Sequence, residues 1–202
     1  MGLNKKINIE NLKENRAVSE AREKLRDDRT REIVKWVFEI IVTLVFAVLV
    51  AISAFQTVTL QESAMEPTYS VSEKFFVNRA LYKVSSPKRG DVIVFKTSAS
   101  DSAALHIRRV IGLPGETVQV KDGKIYINGK VYEENGAYQD MTDGGLANSA
   151  ITLESGEYFV LGDNRNNSED SRFSDIGNIS KKYIVGKVWF TVSPKNKIGF
   201  IK

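Results

Sequence analysis

Apolar and polar positions along this chain fall into two regimes. From Trp36 to Thr57 the residues are predominantly apolar, and Glu39 is the only ionisable side chain among them. About 20 apolar residues cross roughly 30 Å of hydrocarbon as a helix, so this run predicts a transmembrane segment. It is too long for the 7–15 residue apolar region of a cleaved signal peptide, and the 35 residues before it are too many for that class. Upstream, residues 17–33 are rich in Ala, Leu, Glu, Lys and Arg, and Glu20 and Lys24 form a favourable i,i+4 pair. That composition predicts a solvated helix or linker.

Downstream the pattern shortens to the period of strands. Val92–Phe95, Thr117–Val120, Ile125–Ile127, Val131–Tyr132, Tyr158–Leu161 and Val185–Val192 read as strands. Asp122-Gly123 and Asn128-Gly129 lie between such runs and predict tight hairpins, because the turns they favour need positive φ. Residues 134–150 show no period and read as a loop. The expected organisation is a charged segment over 1–33, a membrane anchor over 34–57 and a β domain over 58–202. The expected class is mainly β, an antiparallel sandwich or open barrel after one N-terminal transmembrane helix.

Composition and charge narrow the chemistry. The chain has 202 residues, no cysteine and a single histidine, His106. Disulfides, Cys-ligated metals, a Cys nucleophile and a multi-histidine metal site are therefore excluded, and no metal or other cofactor is expected. The net charge is +4. Residues 1–35 carry ten Lys or Arg against seven acids, whereas residues 36–202 are nearly balanced. Basic enrichment on that flank places it in the cytoplasm and the C-terminal portion outside, as a single-pass protein of the cell membrane. Acids interleave with the bases, so no nucleic-acid partner is expected.

Three ordered stretches carry a resemblance: Ser63-Ala-Met-Glu-Pro-Thr68, Arg108-Arg-Val-Ile-Gly-Leu-Pro-Gly-Glu116 and Gly162-Asp-Asn-Arg-Asn-Asn-Ser-Glu-Asp-Ser-Arg172. Together with Arg89-Gly-Asp-Val-Ile-Val-Phe95, they resemble the bacterial type I signal peptidase family over residues 34–202. The resemblance implies a mostly antiparallel β domain at the outer membrane face. It also implies cleavage of exported preproteins after small-x-small residues by a serine nucleophile and a lysine base. A lysine serves as base when an apolar setting lowers its pKa toward neutrality.

The chain departs from that pattern at both positions. The nucleophile position holds Ala64, which has no nucleophilic atom. The base position holds Arg108, whose guanidinium stays protonated. By resemblance, Ser168 stands where a hydroxyl supports the base, Asp170 and Arg172 where an ion pair stiffens the site, and Asp163 opens the same loop. One reading is therefore a non-catalytic relative, like the dyad-lacking proteins of Gram-positive pilus clusters. Such a protein assists export or pilus assembly by binding a secreted pilin or a sortase. A second is a genuine signal peptidase carrying inactivating substitutions. A third is an enzyme that uses Ser63 with His106 in place of the lost pair.

Overall fold

The computed structural model describes residues 3–98, 100 and 103–201. It divides into two compact units, residues 1–52 and 53–202, which are taken in turn.

The first unit is helical. One helix, α1, runs from Leu3 to Ala54. At 1.5 Å per residue it is longer than a bilayer requires. Its apolar residues Trp36, Phe38, Leu44, Phe46, Leu49 and Ile52 are each at least 60 % exposed. Among the described residues it is the one helix long and apolar enough to cross a membrane. The helix ends at Ala54 rather than at the expected Thr57. Residues 55–57 instead pair with Asn78, Val77 and Phe76 in a β-ladder, which satisfies their backbone groups.

The second unit is almost entirely β. In chain order its elements are β1 (Phe55–Thr59), β2 (Lys74–Asn78), a short helix α2 (Leu81–Val84), β3 (Val92–Phe95), β4 (His106–Gly112), β5 (Thr117–Lys121), β6 (Lys124–Ile127), β7 (Lys130–Val131), β8 (Ile151–Thr152), β9 (Glu157–Leu161), β10 (Ile179–Ser180), β11 (Ile184–Ser193) and β12 (Gly199–Phe200). They form two antiparallel sheets. The larger has the order β1-β2-β11-β3-β4-β9-β10, with β12 on β11, and the smaller has the order β7-β6-β5-β8. The mainly β, antiparallel class read from the sequence is the class observed.

Local chemistry accounts for the hairpins. Asp122 and Gly123 have φ of 52° and 76°, and Asn128 and Gly129 have the same pair of values. These are the left-handed conformations that two-residue turns demand. The loop read over 134–150 also contains a short 3-10 turn, Gly145–Asn148.

Strand β4 lies at the centre of the large sheet, between β3 and β9. Every residue after His106 in it is buried, Arg108 and Arg109 included. Fully buried strands usually carry only apolar side chains, so two arginines here require dedicated partners. Those partners build the site.

Candidate functional site

The site is assembled from three segments: the 3-10 turn Ser63–Met65, strand β4 and the loop after β9. The turn is nailed down by its apolar neighbours. Leu60 and Met65 are 2 % and 0 % exposed within one core cluster with Phe75, Val77, Val92, Val94 and Ile107. Met65 is therefore a packing residue. Fixing Met65 fixes Ala64 beside it.

The loop Gly162–Arg172 then docks on the turn. Asn164 donates its backbone N–H to the carbonyl of Ala64 at 3.0 Å and its side-chain amide to that of Ser63 at 3.1 Å. Asn167 donates to Ser63 Oγ at 3.1 Å. Gly162 permits the close approach. A Cβ built there would stand 2.1 Å from Ser168 Oγ and 2.5 Å from the Ala64 carbonyl oxygen, closer than real atoms come.

Buried ion pairs hold the loop in shape. Arg172 grips Asp170 through Nε and Nη2 at 2.8 and 2.9 Å, and Asp170 also accepts from the N–H of Gly162 at 3.1 Å. Asp163 takes both ends of the Arg109 guanidinium at 2.8 and 2.6 Å. Arg165 makes the same fork with Glu134 at 2.5 and 2.6 Å and lies over the Tyr138 ring at 4.2 Å. Planar two-point pairing is the geometry in which buried charges of opposite sign compensate their lost hydration.

Ala64 opens onto a cavity of about 530 Å³, lined also by Glu62, Ser63, Asn167, Ser168 and Glu169. Arg108 does not line it. It is 0 % exposed and touches the lining residues from behind. Its Nε donates to the Glu169 carbonyl at 2.7 Å, Nη1 to its neighbour Ile107's carbonyl at 2.8 Å, and Nη2 to Glu62 Oε2 at 2.6 Å. The other oxygen of Glu62 lies 3.0 Å from Nδ1 of His106, whose ring stacks on Phe95. His106 and Arg108 stand two residues apart and so share a face of β4, which is why one carboxylate serves both.

His106 and then Arg108 hold the Glu62 carboxyl at about 2, below the ordinary 4.5, against the opposing pull of partial burial. A lowered folded-state pKa favours folding above the unfolded value, and that contribution is lost as pH falls from about 4.5 toward 2. We therefore expect Glu62→Gln to flatten the acid-denaturation curve in that window while leaving the curve above pH 5 parallel to the parent. Circular dichroism of the full chain in detergent across pH 2–7 measures this. A parent curve already flat between pH 4.5 and 2 overturns the linkage.

The structure thus gathers Ala64, Arg108, Ser168, Asp170, Arg172 and Asp163 around one loop and turn. Ser168 Oγ is buried without a hydrogen-bond partner, so no hydrogen bond joins it to the Arg108 guanidinium. Ser63 and His106 are not joined: the hydroxyl of Ser63 is engaged by Asn167, and His106 faces Glu62. Glu62 is the residue that sequence reasoning missed. It lies 46 positions from Arg108, and no motif links the two. Among the described residues no group of three or more acidic or histidine side chains is placed to hold a metal ion.

Residues 33–193 match the family model described as signal peptidase, peptidase S26. The chain belongs to the signal peptidase family. It is 33% identical to signal peptidase I of Bacillus licheniformis over 178 residues, 85% of this chain and 94% of the relative. It is 35% identical to a signal peptidase I of Bacillus amyloliquefaciens over 186 residues, 87% of this chain and 96% of the relative. A crystal structure of a signal peptidase I from Enterococcus faecalis aligns with a TM-score of 0.42 at 32% identity, covering 52% of this chain and 98% of that one. Ala64 and Arg108 both fall inside the segment that matches the signal peptidase model.

Proposed function

We propose that this chain is a membrane-anchored signal peptidase relative that keeps the cleft and has lost the cutting pair. It binds exported preproteins at the membrane, and a secreted subunit such as a pilin, or the sortase that handles it, is the client. The N-terminal segment lies in the cytoplasm and the β unit outside, following the basic residues before the apolar run. An exposed aromatic patch of Phe76, Trp189 and Phe200 supports life at a bilayer surface, where rings with one apolar face settle.

One observation carries the non-catalytic reading: the guanidinium at position 108 is fully buried, and its nitrogens are committed to Glu62, Glu169 and Ile107. A base must accept a proton from a nucleophile. Arg108 has no lone pair to offer, and the neighbouring Ala64 has no proton to give. What persists is a cavity beside a rigid turn, the part of such a site that recognises rather than cuts.

The test is a fluorogenic peptide with a small-x-small cleavage sequence, incubated with the full chain in detergent, beside the Ser63→Ala variant. Both proteins are expected to be indistinguishable from the buffer blank. Cleavage by the parent that disappears with Ser63→Ala would instead establish Ser63 as a displaced nucleophile. Capture of a co-expressed pilin by site-specific crosslinking from Asn166 at the cavity rim tests the client assignment, and crosslinks to lipid or to the chain itself alone refute it.

A further inference from the structure

A second groove in the β unit lies apart from the cavity beside Ala64. Its volume is about 880 Å³, and its lining includes Gln56, Arg79, Lys83, Lys96, Ser98, Lys181 and Lys182. Five of these side chains are cationic, and among the described residues none of its lining is acidic. Lys181 is anchored to the Ser85 carbonyl at 2.7 Å, and Lys182 stands over the Tyr183 ring at 4.8 Å. Arg79 and Lys83 are exposed. A concavity lined by cations of one sign focuses the field and collects anions.

Chain position says which anion. Gln56 follows the end of α1 by two residues, and Arg79 donates its backbone N–H to Ala54, the last residue of that helix. A segment emerging from hydrocarbon meets the headgroup layer within its first residues. Next to Gln56, Phe55 stacks on exposed Trp189 at 5.3 Å, and Trp189 packs on Phe200 at 5.2 Å. Aromatic rings beside basic side chains at the mouth of an apolar span form the pairing that suits the phosphate level of a bilayer.

We propose that this groove is a binding site for the phosphodiester headgroup of an anionic phospholipid, in which Arg79, Lys83 and Lys182 hold the phosphate. The inference rests on the membrane-anchored reading of the chain. A seated headgroup ties the β unit to the lipid surface from which a substrate approaches, and so makes that orientation depend on lipid charge.

The absence of cysteine allows a clean test. Ser98→Cys, in the groove, is labelled with a fluorophore, and the full chain is placed in nanodiscs of phosphatidylcholine with a minority of phosphatidylglycerol. A trace of either lipid carries a spin label high on its acyl chain. Quenching by labelled phosphatidylglycerol is expected to exceed quenching by labelled phosphatidylcholine by roughly tenfold in effective affinity. Arg79→Gln/Lys83→Gln/Lys182→Gln is expected to abolish the preference. Lys121→Gln/Lys124→Gln/Lys130→Gln, equal in charge but on strands β5, β6 and β7 outside the groove lining, leaves it intact. Equal quenching by the two lipids, or equal loss in both triple variants, overturns the site. Competition by millimolar inorganic phosphate in place of lipid overturns the lipid as its source. A chain that does not enter the nanodiscs refutes the anchor itself, and the headgroup site falls with it.

Discussion

Ala64→Ser combined with Arg108→Lys is expected to produce signal-peptide cleavage, at a rate at least about 10³ times that of the parent chain, whereas each single change stays within about tenfold of background. The magnitude follows from how catalytic pairs act. A serine without a base is a weak nucleophile, and a base without a nucleophile has nothing to deprotonate, so the two effects are not additive. The geometry favours recovery. The turn carrying Ala64 is fixed by Met65 and Leu60, and the docking loop reaches it through Asn164. Ser168 Oγ sits buried beside the same cavity without a hydrogen-bond partner and so is free to support a restored base.

Glu62 is the obstacle. Once Arg108 is gone, its carboxylate would attract the new lysine, raise the lysine pKa and keep it protonated. Adding Glu62→Gln to the pair should therefore shift the pH–rate profile to lower pH. The measurement is kcat/KM on a preprotein from pH 6 to 10. Recovery would mean that the pocket has been preserved, and the reading of a genuine peptidase with substituted residues would then gain over a dedicated binding protein. Failure of both the double and the triple variant, with each protein folded, would mean that the cleft has been rebuilt for binding alone.

The second large effect concerns stability. Asp170→Ala is expected to destabilise the β unit by about 3–5 kcal/mol, because it leaves a buried guanidinium without its counter-charge. The Arg172 side chain is 2% exposed and that of Asp170 is 0% exposed. The change also orphans the N–H of Gly162, which Asp170 accepts. Glu32→Gln, which removes an exposed i,i+3 contact with Lys35 on the helix, is the control and should cost less than about 0.5 kcal/mol. Denaturant unfolding of the full chain in detergent, followed by near-ultraviolet circular dichroism, distinguishes the two. Similar midpoints for both variants would mean that the Asp170–Arg172 pair is no more important than a surface contact. Asp170→Asn adds a useful intermediate: it keeps the shape, removes the charge and turns one accepting oxygen into a donor facing the Gly162 or Arg172 N–H groups, so its loss combines ionic and hydrogen-bond parts.

The hairpins at Asp122-Gly123 and Asn128-Gly129 were legible because a turn that needs positive φ selects its residues locally. The strands over 117–120, 125–127 and 158–161 were legible because burial on a sheet imposes a short period. The strands at Phe55–Thr59 and Lys74–Asn78 were not read. Phe55–Thr59 lies where the apolar run of the helix gives out, and only its ladder with Lys74–Asn78 makes it a strand. The substitutions at 64 and 108 were visible in the motifs. What replaces the lost chemistry was not, because Glu62 meets Arg108 only when the turn before β2 folds across the face of β4.

By itself, then, the sequence determined the apolar span, the β class and the identity of the atoms at positions 64 and 108, since these follow from local periodicity and from which elements each side chain contains. Only the tertiary structure decided that Arg108 is sealed behind the cavity by Glu62 and the Glu169 carbonyl, that Ser63 and His106 turn to different partners, and that five cations from distant segments share one groove. Those facts depend on distances between residues far apart in the chain, and such distances are set by how strands register and pack.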